Sequence, residues 1–173
     1  MYRGEGDDDK MENQLQINML GGFSLQYNGK VIDYQSSRSH KLWLILEYLI
    51  TFRDKEITQN ELIELLWGDE FTENPANTLK TLLHRLRTML EELDFAPGKE
   101  MIIYNRGIYA WNPKLNFVVD TDQFLSLCTL GDEAEDAEQK VMYYLSAIDY
   151  YKGYFLHKSA LDPWVVPVNT YYH

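Results

Sequence analysis

The 173-residue sequence has few of the residues that build metal sites, disulfides or membrane spans. Its one cysteine, Cys128, excludes an intramolecular disulfide and a cysteine-rich zinc site. The four histidines lie far apart and show no metal-ligand spacing. The longest apolar run, interrupted by Glu47, is much shorter than the roughly 20 residues that span a bilayer. Because no signal peptide is evident, we expect an intracellular protein. Together, these absences also predict no metal, no other cofactor and no membrane partner.

Glycine and proline are also sparse, with 10 and 5 residues, while 45% of the chain is hydrophobic. This composition excludes a collagen-like or low-complexity chain and is typical of a globular protein. Residues 1–10 end in Asp-Asp-Asp-Lys before a second methionine, which indicates an expression tag with a protease-recognition remnant.

Acidic residues dominate the charge of the chain, which is -11 overall. A net charge of this sign argues against a polyanionic partner. The segment from Asn74 to Leu90 is the exception, because it contains Lys80, Arg85 and Arg87 and no acid. The sequence therefore places a local basic patch on an acidic protein.

The first half of the chain predicts a small sheet followed by three helices. Apolar residues alternate with polar ones up to Asn28-Gly29, a strong hairpin signal, which predicts an antiparallel N-terminal sheet. A helix from about residue 40 to 52 is apolar on nearly all sides, so we expect it to be buried. A capping box at residues 58–61 begins a second helix, and Asn74-Pro75 begins a third that runs to about Leu93.

Period-two alternation returns after the third helix. Residues 101–104 and 108–111 flank Asn105-Arg106-Gly107, which predicts a second hairpin. The order of sheet, three helices and closing hairpin is typical of a winged helix-turn-helix, and the fold class is therefore α+β.

The remainder predicts helices. Residues 121–130 and 134–152 form a predicted helical pair of the size of a tetratricopeptide unit, and a third helix begins at Asp162. One such unit buries its apolar face poorly alone, so we expect a truncated all-α module. The predicted domains are the tag at 1–10, the winged helix at 11–118 and the helical module at 119–173.

The third helix has a polar face opposite its leucine stripe. On a helical wheel the centre of this face holds Asn77, Thr81, His84 and Thr88, with Lys80 and Arg87 on one flank and Arg85 on the other. Small and basic side chains suit a helix that enters a major groove of about 12 Å width. Arg106, at the hairpin tip, can reach the adjacent minor groove, whose negative potential favours arginine.

These polar residues also have interpretations that involve no DNA. A single polar helix face is more often merely solvated, and a turn arginine is more often exposed without a partner. The order of the surrounding elements favours DNA. No nucleophile or carboxylate accompanies His84 at helical spacing, so we predict no catalytic residue and no enzyme activity.

Several segments together resemble a known family. "LGGFSLQYNGKVI", "ELIELLWGDE", "NPANTLKTLLHRLRTML" and "IIYNRGIYAW" resemble the sheet, second helix, recognition helix and wing of OmpR-type winged-helix domains. "VDTDQFLSL", "AIDYYKGYFL" and "DPWVVP" resemble the bacterial transcriptional activation domain that follows this winged helix in the antibiotic-regulatory-protein (SARP) family.

The resemblance implies a bacterial, nucleoid-associated cytoplasmic activator that binds direct DNA repeats cooperatively, as a homodimer on DNA, and recruits RNA polymerase. It places recognition-helix contacts at Thr81, Arg85 and Arg87, with Lys80 and His84 beside them and Arg106 in the wing. It also implies that a loop contacts polymerase, with the residues Gly68, Asp69, Glu70, Phe71, Thr72 and Glu73. The alternative hypothesis is a protein-interaction module whose winged helix has lost DNA binding, which the net acidity favours.

Overall fold

The computed structural model describes residues 13–172, which form two compact units. The first unit contains residues 13–27 and 116–172, and the second contains residues 28–115. The predicted tag at residues 1–10 lies outside the described residues. The predicted domain boundaries at residues 11–118 and 119–173 stay a prediction. Among the described residues, no helix is long and apolar enough to cross a membrane.

The second unit has the elements of a winged helix in the predicted order. Its helices are α1 (His40–Thr51), α2 (Gln59–Trp67), α3 (Pro75–Glu91) and α4 (Gly98–Met101), and its strands are β3 (Lys30–Asp33), β4 (Ile57–Thr58), β5 (Ile102–Asn105) and β6 (Ile108–Trp111). Strands β4, β6 and β5 form an antiparallel sheet in that order. The sequence did not predict the short elements β4 and α4.

Helix α1 forms the centre of this unit, as its apolar surface predicts. Leu42, Ile45, Leu46, Leu49 and Ile50 are almost completely buried. The helix packs against α2, α3 and β6. Because burial of each large aliphatic side chain contributes roughly 1.5–3 kcal/mol, this helix stabilises the elements that carry the candidate site.

The first unit combines a sheet with the C-terminal helices. Its strands are β1 (Leu15–Asn18), β2 (Ser24–Tyr27) and β7 (Phe117–Val119), and its helices are α5 (Asp120–Glu133), α6 (Ala137–Tyr150) and α7 (Val165–Tyr172), with one 3-10 turn (His157–Ser159). Strand β1 pairs antiparallel with β2 and parallel with β7. The predicted all-antiparallel N-terminal sheet is therefore wrong in this respect, because β7, about 100 residues further along the chain, completes it in parallel.

A buried carboxylate joins β1 to the start of α5. Asp120 accepts hydrogen bonds from the backbone N–H groups of Met19 and Leu20, each at 2.8 Å. Burial raises the pKa of Asp120 from 3.8 to about 6, although these N–H donors favour the ionised form. The residue thus connects two elements that lie far apart in the sequence.

Several large apolar side chains of α6 are exposed to solvent. Val141, Leu145 and Ile148 are 56%, 59% and 61% exposed, whereas Ala147 is buried. Helix α6 packs closely against α5. The observed bounds of these helices differ by a few residues from the predicted ones because Asp136, which accepts from the N–H of Gln139, begins α6.

Candidate nucleic-acid interface

Helices α2 and α3 form the helix-turn-helix, and side-chain caps begin both. The hydroxyl of Thr58 accepts from the N–H of Glu61 at 3.1 Å, as a capping box predicts. The Glu61 carboxylate accepts a hydrogen bond from the Tyr48 hydroxyl at 2.7 Å, which ties α2 to α1. Asn74 Oδ1 accepts from the N–H of Asn77 at 3.1 Å, and Pro75 occupies the first turn of α3.

The two faces of α3 are separated as predicted. The leucine stripe is buried and comprises Leu79, Leu82, Leu83, Leu86, Met89 and Leu90. The opposite face is exposed and comprises Asn77, Lys80, Thr81, His84, Arg85 and Thr88. Within residues 13–172, neither Lys80 nor Arg85 takes part in a hydrogen bond or an ion pair. The helix therefore presents a polar, cationic surface to solvent.

The two threonines on this surface are oriented by the helix itself. The hydroxyls of Thr81 and Thr88 donate to the carbonyl oxygens of Asn77 and His84, at 3.2 and 3.1 Å. Because each hydroxyl donates locally, its oxygen keeps lone pairs that can accept a further hydrogen bond. The centre of the face thus offers small side chains with hydrogen-bond acceptors to a ligand.

A groove of about 390 Å³ runs beside the exposed face of α3. Its lining includes His84, Arg85 and Thr88 from α3, and Ser36 and Ser37 from the segment before α1. Glu92, just past the end of α3, closes the groove with a negative charge. The positive character of the face is therefore confined to the first three turns of α3.

Arg87 has a different setting from Arg85, although only one residue separates them. Its side chain is half-buried, and its Nε and Nη2 donate to the carbonyl oxygen of Ile102 at 3.1 and 2.6 Å. Burial raises the pKa of Tyr109, and Tyr104 adds to this rise, whereas the nearby cation of Arg87 opposes it. The helical wheel places the two arginines on different flanks of α3. In the structure, the carbonyl oxygen of Ile102 lies on the flank that carries Arg87.

The hairpin of β5 and β6 forms the wing, and Arg106 lies at its tip. Asn105 pairs with Ile108, so Arg106 and Gly107 alone form the turn, with φ of 49° and 86°. Both residues thus have the positive φ that a type I′ turn requires. The predicted three-residue turn is shorter by one residue, and Arg106 is exposed at its outer end.

Two further contacts hold the wing tip. Strand β4 pairs with β6, aligning Ile57 with Tyr109 and Thr58 with Ile108. The N–H of Gln59 donates to the carbonyl oxygen of Gly107 at 2.9 Å. The wing is thereby attached to the first residues of α2. The residue patterns of β5 and β6 do not indicate this connection.

The loop between α2 and α3 holds a strongly exposed aromatic residue. Phe71 is 93% exposed and lies among Asp69, Glu70 and Glu73. The ammonium group of Lys41 donates to the carbonyl oxygen of Leu66 at 2.5 Å and lies 5.0 Å from the centre of the Trp67 ring. Lys41, whose role no sequence pattern indicates, thus anchors the end of α2 from which the loop departs.

No arrangement for metal binding occurs in the part of the chain that the structure describes. Across residues 13–172, no group of three or more His, Cys, Asp and Glu side chains is placed to hold a metal ion. His84 lies on the exposed face of α3, in the groove with Arg85 and Glu92.

A helix-turn-helix followed by an antiparallel wing defines the winged-helix class. Residues 35–108 match the sequence model of the family described as "Transcriptional regulatory protein, C terminal". This segment, which contains α1, α2 and α3, is therefore similar to the OmpR-type winged helix that the sequence resembles.

Curated relatives and a solved structure are similar to the chain. "Response regulator SaeR" from two strains of Staphylococcus epidermidis is 40% identical over 63 residues, which cover 36% of this chain and 27% of the relative. The structure "Mycobacterium tuberculosis EmbR in complex with low affinity phosphopeptide" superposes with a TM-score of 0.77 at 20% identity, over 91% of this chain and 41% of that one. The chain thus spans about a quarter of its curated relatives, and the likeness to EmbR confirms the fold. Together these findings confirm the winged-helix fold and show that residues 35–108 are similar to the regulator family named above.

Proposed function

We propose that the chain is a sequence-specific DNA-binding transcriptional regulator. The exposed face of α3 carries this proposal, because it combines Lys80 and Arg85 with small polar side chains and holds no acid before Glu91. A helix with such a face suits the major groove, where arginine donates two hydrogen bonds to guanine. Arg106, at the exposed tip of the wing, suits the adjacent minor groove. The match of residues 35–108 to a transcriptional-regulator family supports the same function.

The test of this proposal is selection of duplexes from a random pool by the 173-residue chain. We expect one motif to be enriched, and two copies of it in the same orientation if the regulator binds direct repeats as a homodimer on DNA. A pool that stays random after repeated rounds would favour the protein-interaction alternative, which the net charge of -11 also favours.

Binding should weaken steeply as the salt concentration rises. Lys80, Arg85 and Arg106 are exposed cations on the proposed surface, and each cation that the complex brings against the duplex releases counterions condensed on the phosphates. We expect log K to fall with log salt at a slope of about -3 for each bound copy. Titration of the selected duplex at several salt concentrations measures this slope. A slope near zero would show that the complex does not form through phosphate contacts.

We further propose that the regulator activates transcription by contacting RNA polymerase through the loop Gly68, Asp69, Glu70, Phe71, Thr72 and Glu73. Phe71 supports this role, because an aromatic side chain that is 93% exposed contributes nothing to the core and is suited to a protein interface. The acidic neighbours of Phe71 suit a basic surface on the partner. A bacterial cytoplasmic location follows from the same proposal.

Replacing Phe71 with alanine should separate activation from DNA binding. We expect F71A to bind the selected duplex as the wild type does, and to activate a bacterial reporter carrying that duplex several-fold less. The matched control is L161A, because Leu161 is 94% exposed but lies in the other unit. Equal activation by F71A and the wild type would refute the polymerase contact and leave the DNA-binding proposal intact.

A further inference from the structure

Arg87 links the recognition helix to the base of the wing. Its guanidinium donates two hydrogen bonds, at 3.1 and 2.6 Å, to the carbonyl oxygen of Ile102. Ile102 is the first residue of β5, the strand that leads to Arg106. A guanidinium that is half-buried and directed at a backbone carbonyl is already engaged, whereas Arg85 extends from the exposed face.

The backbone of Arg87 lies at a close approach between α3 and α4. A Cβ atom added to Gly98 would lie 2.4 Å from the carbonyl oxygen of Arg87, so the two segments touch where only glycine fits. The N–H of Gly98 also donates to the Glu91 carboxylate at 3.0 Å. Because α4 runs directly into β5, Arg87 contacts both ends of the segment that begins the wing.

The contacts described above at the wing tip involve β6 and the turn rather than the start of β5. Strand β4 pairs with β6, and Gln59 bonds to Gly107 in the turn. The hydrogen bonds of Arg87 act instead on the start of β5, and they come from the same helix that carries Arg85. The side chain of Arg87 is therefore placed to set the angle between α3 and the wing.

We propose that Arg87 is a positioning residue that aligns the wing, and with it Arg106, so that α3 and the wing reach the same duplex. This inference rests on the proposed DNA-binding function. It differs from the role that the family resemblance implies for this position, which is a direct contact to DNA. A direct contact needs the charge of Arg87, whereas positioning needs only its hydrogen bond to Ile102.

Two variants separate these roles. The amide nitrogen of a glutamine occupies the same position along the side chain as Nε of arginine, so R87Q keeps a donor for Ile102 without the charge. R87M has a similar length and lacks the donor. Both full-length variants are titrated against the selected duplex and a scrambled duplex of equal length, at several salt concentrations, after thermal unfolding has confirmed that they are folded.

The expected result is that R87Q binds within about twofold of the wild type with an unchanged salt slope, whereas R87M loses about tenfold on the selected duplex. In a chain that already carries R106A, R87M should change the affinity by less than about twofold, because no arginine at the wing tip remains to be aligned. Such non-additivity is the signature of one residue acting through another.

Other outcomes would overturn the inference. If R87Q loses affinity and its salt slope falls by about 1, or if the effects of R87M and R106A are additive, Arg87 contacts phosphate directly. If R87M does not fold, R87Q alone decides, since only a direct contact makes its affinity and slope drop. R85A and R106A in the same titrations report on the proposed function itself, because it fails only if both bind like the wild type.

Discussion

Replacing Arg85 with alanine is expected to weaken binding to the selected duplex by about 1–3 kcal/mol and to relax the preferred sequence. Arg85 is exposed on the face of α3 that lies opposite the buried leucines, and no described residue engages its guanidinium. A side chain that is not held by the protein can donate to both acceptors of a guanine base. Binding to a scrambled duplex should fall much less, because it depends on phosphates.

Two further variants make this experiment specific. R85K keeps the positive charge but loses the planar fork, so it should retain non-specific binding and lose the sequence preference. K114A removes the same charge at an exposed position beyond the far end of the wing, and should leave the preference unchanged. If R85A weakens binding to the selected and the scrambled duplex by the same factor, as K114A does, Arg85 acts only through its charge. The placement of α3 in the groove would then be wrong.

Replacing Asp120 with alanine is expected to produce a large loss of folding stability. The substitution removes the acceptor for the buried N–H groups of Met19 and Leu20. Unsatisfied buried donors cost about 1–3 kcal/mol each, and removal of a buried charge offsets part of that cost at neutral pH. We therefore expect D120A to lose about 2 kcal/mol of unfolding free energy at pH 7, measured by denaturant titration.

The loss in D120A should grow as the pH falls. The folded chain holds the Asp120 proton up to a pKa of about 6, whereas the usual value is 3.8. Between these values the folded state binds more protons than the unfolded state, so this residue stabilises the fold at low pH and that stability is lost as the pH rises toward 6. Protonation of Asp120 therefore adds at most about 3 kcal/mol to the free energy of unfolding at low pH.

D120N tests the titration apart from the hydrogen bonds. An asparagine carbonyl can still accept from the backbone but cannot titrate, so the wild type should gain stability over D120N between pH 6 and pH 4. D149N is the control, because Asp149 is an exposed carboxylate in α6. Parallel pH curves for the wild type and D120N, or equal stability of D120A and D120N, would contradict this account of Asp120.

Local patterns in the sequence determined most of the winged helix. Asn74-Pro75 marks the start of α3, the leucine spacing marks its buried face, and Asn105-Arg106-Gly107 marks the wing turn. These features were predictable because caps, helical spacing and hairpin turns involve residues only a few positions apart. The exposed positions of the candidate site, such as Arg85 and Arg106, follow from the same patterns.

Tertiary structure alone decided how distant segments meet. The parallel pairing of β7 with β1, the bonds from Asp120 to Met19 and Leu20, and the bonds from Arg87 to Ile102 each join residues whose proximity no local pattern encodes. The helical wheel placed Arg87 with Lys80 on one flank of the polar face, and in the structure its guanidinium donates to a backbone carbonyl of the wing. Every residue carries a backbone carbonyl, so the sequence does not show which of these acceptors a given arginine will bind.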